Sequence, residues 1–173
     1  MELFVYIIVA LIPSVAVTIV VYLFLKKSKE REISMLTLQM KKERQKYFLE
    51  PRADAYQRVI LLLERINPQN LVMRVYDPSL KAADFQRNLL ENIRKEFDHN
   101  VAQQLFVGTP SWELVKKSKE ETIKIINIAG KQMSEDDNAT ALSNKIFEIV
   151  AEVGELPSEI AVKVLKEEFQ KLF

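Results

Sequence analysis

Residues 96 to 99, Glu96-Phe-Asp-His99, place a glutamate and a histidine three positions apart. On a helix that spacing lets both side chains reach one metal ion, the arrangement that di-iron helical bundles use twice. His99 is the only histidine in the chain, so no second pair exists. A helical wheel also turns it about 140° away from the apolar stripe of its own segment, toward solvent. The same single imidazole is all that a nucleophile–histidine mechanism would have to work with. There is no cysteine, hence no thiolate nucleophile and no thiolate metal site. Three scattered glycines, Gly108, Gly130 and Gly154, cannot build a phosphate-cradling loop. Asn138-Ala-Thr140 matches a glycosylation acceptor but reads as a polar loop. These observations lead to the expectation of a protein that is not an enzyme, with no catalytic residue, no cofactor and no metal.

The elements that would position any side chain are helices throughout. The apolar run 3–25 contains no charged residue and is followed at once by Lys26, Lys27, Lys29 and Arg31. At about 1.5 Å per residue it makes a helix of roughly 35 Å, enough for a hydrocarbon core of about 30 Å. Its start, Met1-Glu2, carries no base, and Tyr22-Leu23-Phe24-Leu25-Lys26 offers no small pair for a peptidase. The expectation is therefore a retained single-pass anchor rather than a cleaved signal. The basic cluster puts the N-terminus outside and residues 26 onward in the cytoplasm.

Three parts follow: a transmembrane anchor over 1–25, a basic juxtamembrane stalk helix over 26–50, and a cytoplasmic helical bundle over 51–173. The stalk segment 26–52 holds nine Lys or Arg against four Glu, a net of +5, and residues 53–173 hold 16 bases against 19 acids, a net of −3. A mildly acidic domain without a basic, aromatic-studded face speaks against nucleic acid. The fold class expected is all-α. Within the domain, punctuation predicts helices from Pro51 to about Ile66, from about Ala82 to Phe106 and from Pro110 to about Met133, with Gly108-Thr109-Pro110 as a stop, cap and restart; after the polar loop Ser134 to Asn138 a further helix ends at Gly154, and a last one begins at Pro157-Ser158, bearing Ile160, Val164, Leu165 and Phe169. The piece around Leu71-Val72-Met73 reads as either a helical turn or a strand.

Wheels over the two longest domain helices give Leu89, Leu90, Ile93, Phe97 and Val101 on one stripe and Trp112, Val115, Ile123, Ile126 and Met133 on the other. Asn100, Gln104 and Lys119 fall within those stripes. Two amides and an ammonium there form a candidate pocket for an anionic small molecule, the basis of an alternative reading as a sensor or enzyme. Leu114, Ile125 and Ile128 point away from the main stripe. Either their helix is central in the bundle, or this face meets a partner. In the membrane, Ala10, Ser14 and Thr18 recur every four residues, a small-residue face that lets spanning helices approach. In the stalk, Ile33, Leu36, Met40 and Tyr47 follow heptad-like spacing over about two heptads. Together they support a further alternative, a self-assembling membrane scaffold.

Three stretches carry a resemblance: Ala55-Tyr-Gln-Arg-Val-Ile-Leu-Leu-Leu-Glu-Arg-Ile-Asn-Pro68, Glu96-Phe-Asp-His-Asn-Val-Ala-Gln-Gln-Leu-Phe-Val107, and Trp112-Glu-Leu-Val-Lys-Lys-Ser-Lys-Glu-Glu-Thr-Ile-Lys-Ile-Ile-Asn127. With the apolar N-terminus they resemble an uncharacterised family of short single-pass proteins of Bacteroidota-type bacteria. The resemblance implies a bacterial inner membrane and an α-helical cytoplasmic domain, and it transfers no catalytic residue. The function expected is a non-catalytic, membrane-tethered adaptor or accessory subunit of an inner-membrane complex, partnered by other membrane proteins or by itself.

Overall fold

A computed structural model of the chain describes the backbone of residues 2–171 and the side chains of residues 15–171. The described residues are all-α, with six α-helices and one 3-10 turn. They are α1 (Glu2–Ile66), α2 (Pro68–Val75), α3 (Ala82–Asn100), the 3-10 turn Val101–Leu105, α4 (Thr109–Gly130), α5 (Ala139–Val153) and α6 (Pro157–Gln170). The chain divides into two compact units, Met1–Leu49 and Glu50–Phe173.

In the first unit the described side chains are exposed almost throughout, including the apolar residues 15–25 and Ile33, Leu36, Met40 and Tyr47. Thr37 donates its hydroxyl to the Ile33 carbonyl at 2.7 Å, a bond within the helix. Among the described residues no helix is long and apolar enough to cross a membrane. Of the run 3–25 only residues 15–25 have described side chains; Ala10 and Ser14 lie outside them, while Thr18 is exposed.

The second unit surrounds one core. The end of α1 contributes Tyr56, Val59, Leu62, Leu63 and Ile66, each at most 1% exposed. These follow the 3-and-4 spacing of one helix face. Pro51 is internal to α1 rather than at the first position of a new helix. The α1 helix ends where Asn67 turns out of helical geometry and uses its side-chain oxygen to accept the Gln69 N–H at 3.1 Å, with Pro68 at the first position of α2. That placement suits proline, whose missing N–H would be unsatisfied there anyway. Leu71 and Val72 are buried in α2, so the ambiguous apolar piece is helix.

The third helix stops short of the expected 106: regular α-helix ends at Asn100 and a 3-10 turn takes over. Val101 consequently leaves the stripe and is 41% exposed, whereas Phe85, one turn before Leu89, is fully buried. The starts of α3 and α5 are tied together by two backbone bonds, Ala82 N–H to the Asp137 carbonyl at 2.9 Å and Ala139 N–H to the Leu80 carbonyl at 3.0 Å. Asn138 caps α5 by accepting the Ala141 N–H at 3.0 Å. Gly154 ends α5 with φ +75, a left-handed conformation that other residues adopt only with strain.

Helix α4 is central, packing against α2, α3, α5 and α6. Its buried line is Ser111, Trp112, Val115, Ser118, Thr122, Ile125, Ile126 and Ala129. That line is rotated by about 50° from the stripe drawn through its largest apolar residues. Its middle is small: Ser118, Thr122 and Ala129 let neighbouring helices come close. The hydroxyl of Ser118 is satisfied by its own helix, donating to the Leu114 carbonyl at 2.8 Å. Gly130 serves a similar close approach, because a β-carbon there would run into the side chain of Gln86 on α3. Gln86 in turn donates to the Asn127 side-chain oxygen at 3.0 Å.

Candidate functional site

The residues expected to form a partner face are not together on a free surface. Ile125 is 6% exposed and belongs to the core, Leu114 packs half-buried against it, and only Ile128, at 39%, reaches solvent. The two-sided apolar pattern of α4 is thus that of a helix enclosed by its own bundle.

Two of the three candidate pocket residues, Asn100 and Lys119, are engaged within or beside their own helices. Asn100 donates its amide to the Glu96 carbonyl at 2.8 Å, closing the last turn of its own helix. Gln104 is exposed on the 3-10 turn. Lys119 is half-buried with its ammonium 4.3 Å from the centre of the Phe97 ring and 3.0 Å from the Glu120 carboxylate. Phe97 itself lies against Trp112, ring centres 5.7 Å apart. The ammonium is therefore held by an aromatic face and an acid beside it, a favourable use of a charge near apolar surroundings. Its charge is already met.

The Glu-x-x-His pair is also resolved. Glu96 lies 2.6 Å from the Arg65 guanidinium and 3.6 Å from that of Arg74, while His99 is exposed. The glutamate ties the ends of α1 and α2 to α3.

A carboxylate that the sequence did not single out, Glu168, ties two helices together. Helix α4 begins after Gly108, which has no side chain to cap it, and Thr109 does not act as the cap. Instead Glu168, on α6, accepts the Gly108 N–H at 2.9 Å through Oε1 and the Ser111 hydroxyl through Oε2. A negative charge is thereby set at the positive end of the longest helix of the second unit. Gly108 is required for it, since a β-carbon would occupy the space of Glu168 Oε1. Beside this carboxylate lies the Tyr56 hydroxyl, buried and without a hydrogen bond of normal geometry. Burial, and after it the Glu168 carboxylate, pushes the Tyr56 phenol above its ordinary value, with Arg52 acting in the opposite sense. This cluster joins α1, α4 and α6; its chemistry is that of a structural lock.

A cavity of about 100 Å³ lies elsewhere in the second unit, lined by Leu63, Glu64, Asn67, Ser158, Glu159 and Val162. It sits where the end of α1 meets the starts of α2 and α6. Glu159 reaches back to accept the Leu156 N–H at 3.1 Å. Glu64 Oε2 accepts the Asn70 amide at 3.3 Å. Ser158 is 4% exposed and its hydroxyl has no hydrogen-bond partner among the described residues. In the sequence, Pro157-Ser158-Glu159 signals only the first turn of a helix; nothing in it marks a cavity that depends on residues about 90 positions earlier.

No curated protein matches the chain. No solved structure matches it. A family model does match, over residues 2–172 and so both units, and the chain belongs to the family of unknown function DUF7935.

Proposed function

We propose that this chain is a non-catalytic, membrane-tethered helical adaptor or accessory subunit of a bacterial inner-membrane protein complex. The observation that carries the reading is the character of the first unit. Sixteen of the 23 residues in the run 3–25 are Leu, Ile, Val or Phe. Each such residue favours the bilayer by about 0.3–0.6 kcal/mol near a helix centre, which outweighs Pro13, Ser14 and Thr18. The described part of that run exposes Val17, Val20, Tyr22 and Phe24 by 61–71%. A helix apolar on every side needs lipid or protein around it. The basic residues Lys26, Lys27, Lys29 and Arg31, all exposed, suit the headgroup region of the cytoplasmic leaflet.

The second unit supports a role in contact rather than chemistry, because its polar side chains are spent on helix ends and helix junctions. Its most exposed large apolar side chain is Leu105, at 80%, on the 3-10 turn that also shows Val101. That turn replaces the α4 face as the place to look for a partner. Two measurements test the reading together. Carbonate-washed membranes should retain the full chain, and a reporter fused after Phe173 should be active in the cytoplasm. Recovery of the chain in the carbonate wash would remove the anchor. Activity of the reporter only in the periplasm would reverse the orientation. A photocrosslinker at position 105 that captured nothing in native membranes would remove the adaptor.

A further inference from the structure

We propose that the stalk part of α1 pairs, parallel and in register, with the same segment of a second copy of this chain, along a seam of Lys29, Ile33, Leu36, Met40, Glu43 and Tyr47. The inference rests on the membrane tether only for its direction, because two chains anchored by the same end in one bilayer lie parallel. Its first support is an apolar line that its own chain leaves bare. Ile33, Leu36, Met40 and Tyr47 are exposed by 52–77%. The six seam positions are separated by four, three, four, three and four residues. That is the repeat which keeps one line of side chains facing a partner helix, here over nearly three heptads.

The second support is the order of charge on that seam, and it is what names a second copy as the occupant. The two charged positions, Lys29 and Glu43, are each followed directly by a residue of opposite sign, Glu30 and Arg44. Residues one position apart point about 100° from each other, so they do not meet on one helix. None of the four forms an ion pair among the described residues. In a parallel pair, a side chain at either position packs beside the residue that follows its counterpart on the facing helix. Lys29 then meets Glu30 of the second copy, and Glu43 meets Arg44 of the second copy. The two-fold axis makes each contact twice.

Net charge opposes pairing less than the stalk's composition suggests. Segment 26–52 carries +5, but Lys27, Arg31, Lys41 and Lys42 lie on the side turned away from the seam. Met35 and Leu38 lie on that side too, exposed by 64% and 53%. They match the seam residues in exposure and apolar character but not in position, so they separate pairing along a defined face from indiscriminate stickiness. A lipid surface would take up apolar side chains with no regard to which charge follows which.

The chain contains no cysteine, so a single introduced one reports only on its own surroundings. Full-length variants Ile33→Cys, Leu36→Cys and Met40→Cys, in the membranes of the expressing cells, are oxidised with copper phenanthroline. Met35→Cys, Leu38→Cys and Lys42→Cys serve as the far-side set. A disulfide needs Cα atoms within about 7 Å, which the seam provides and the far side does not, so the first set should give about fivefold more linked dimer. In the Met40→Cys background, Arg44→Glu should lower the yield about threefold, and Glu43→Arg should do the same. The swap E43R/R44E should restore it, because each seam charge again faces its opposite on the other copy. If a carbonate wash released the chain while the crosslinks kept this pattern, the pairing would stand and the tether would fall. Equal yields in both sets, a preference for the far-side set, no dimer in either, or a swap no better than the single variants would each overturn the pairing, whether or not membranes retain the chain.

Discussion

Replacing Glu168 by alanine should destabilise the second unit far more than a half-exposed acid on a terminal helix would suggest. Two bonds are lost, the 2.9 Å bond from Gly108 and the bond from Ser111. Hydrogen bonds to a charged group contribute about 1.5–3 kcal/mol. Loss of the negative charge at the start of α4 adds about 0.3–1 kcal/mol. Ser111, 4% exposed, would keep a hydroxyl without its acceptor. These effects overlap, since water enters the vacated space, and the net cost is about 2–4 kcal/mol. At roughly 4 °C per kcal/mol for a domain of this size, Tm should fall by about 8–16 °C. Denaturant unfolding of the full chain in detergent, followed by Trp112 fluorescence, gives the free energies. A double-mutant cycle with Ser111→Ala then isolates the shared bond, with an expected coupling of about 1–2 kcal/mol. If the two changes add to within about 0.3 kcal/mol, the lock does not exist and the reasoning from it fails.

Ile125→Glu should unfold the second unit, costing more than about 3 kcal/mol by burying an unpaired charge, while Ile128→Glu should stay within about 0.5 kcal/mol; circular dichroism melts of both decide whether α4 is enclosed. Gly130→Ala gains about 1 kcal/mol of helix propensity but forces Gln86 aside, so a net loss of about 1 kcal/mol is expected, with Gln86→Ala restoring it in the double variant. Tyr56 adds a pH dependence whose sign follows from its raised value. The neutral phenol's contribution is fully present below the ordinary value near 10 and is lost as pH rises through the higher folded value. Alkaline unfolding should therefore move to higher pH in Tyr56→Phe, which also removes one late-titrating tyrosine from the tyrosinate absorbance, and Glu168→Gln should lower the pH at which that tyrosine titrates.

The helical architecture was legible because its signals are local. Asn67-Pro68, Asn138 and Gly154 each act within a turn of their own position, and the face carrying Tyr56, Val59, Leu63 and Ile66 repeats at the helical period. Two failures have a common physical cause. The stripe on α4, read by apolar bulk, holds Trp112, Val115 and Ile126, which are buried, but also Ile123 and Met133, which are half-buried, and it misses Ser118, Thr122 and Ala129 on the buried line. Closest approach between helices selects small side chains, and a hydroxyl that bonds back to its own helix counts as nearly apolar. Likewise Thr109 looked like the cap of α4, yet the cap comes from Glu168, 60 residues away. Side chains engaged over such separations leave no periodic trace.

The same distinction separates the candidate pocket of Asn100, Gln104 and Lys119 from the contacts the structure gives those residues. A wheel reports direction, not company. Lys119 pointed inward as expected, but inward meant the face of Phe97, which already meets the ammonium. Ser158, by contrast, carries the plain signature of a helix start, yet the cavity it helps to line also takes Leu63 and Glu64 from α1. In a bundle so economical that Gly108, Asn127, Ser111 and Asn138 all have partners, the buried hydroxyls of Tyr56 and Ser158 are the two exceptions among the described side chains, and each sits where its helix offers no carbonyl within reach of a short bond.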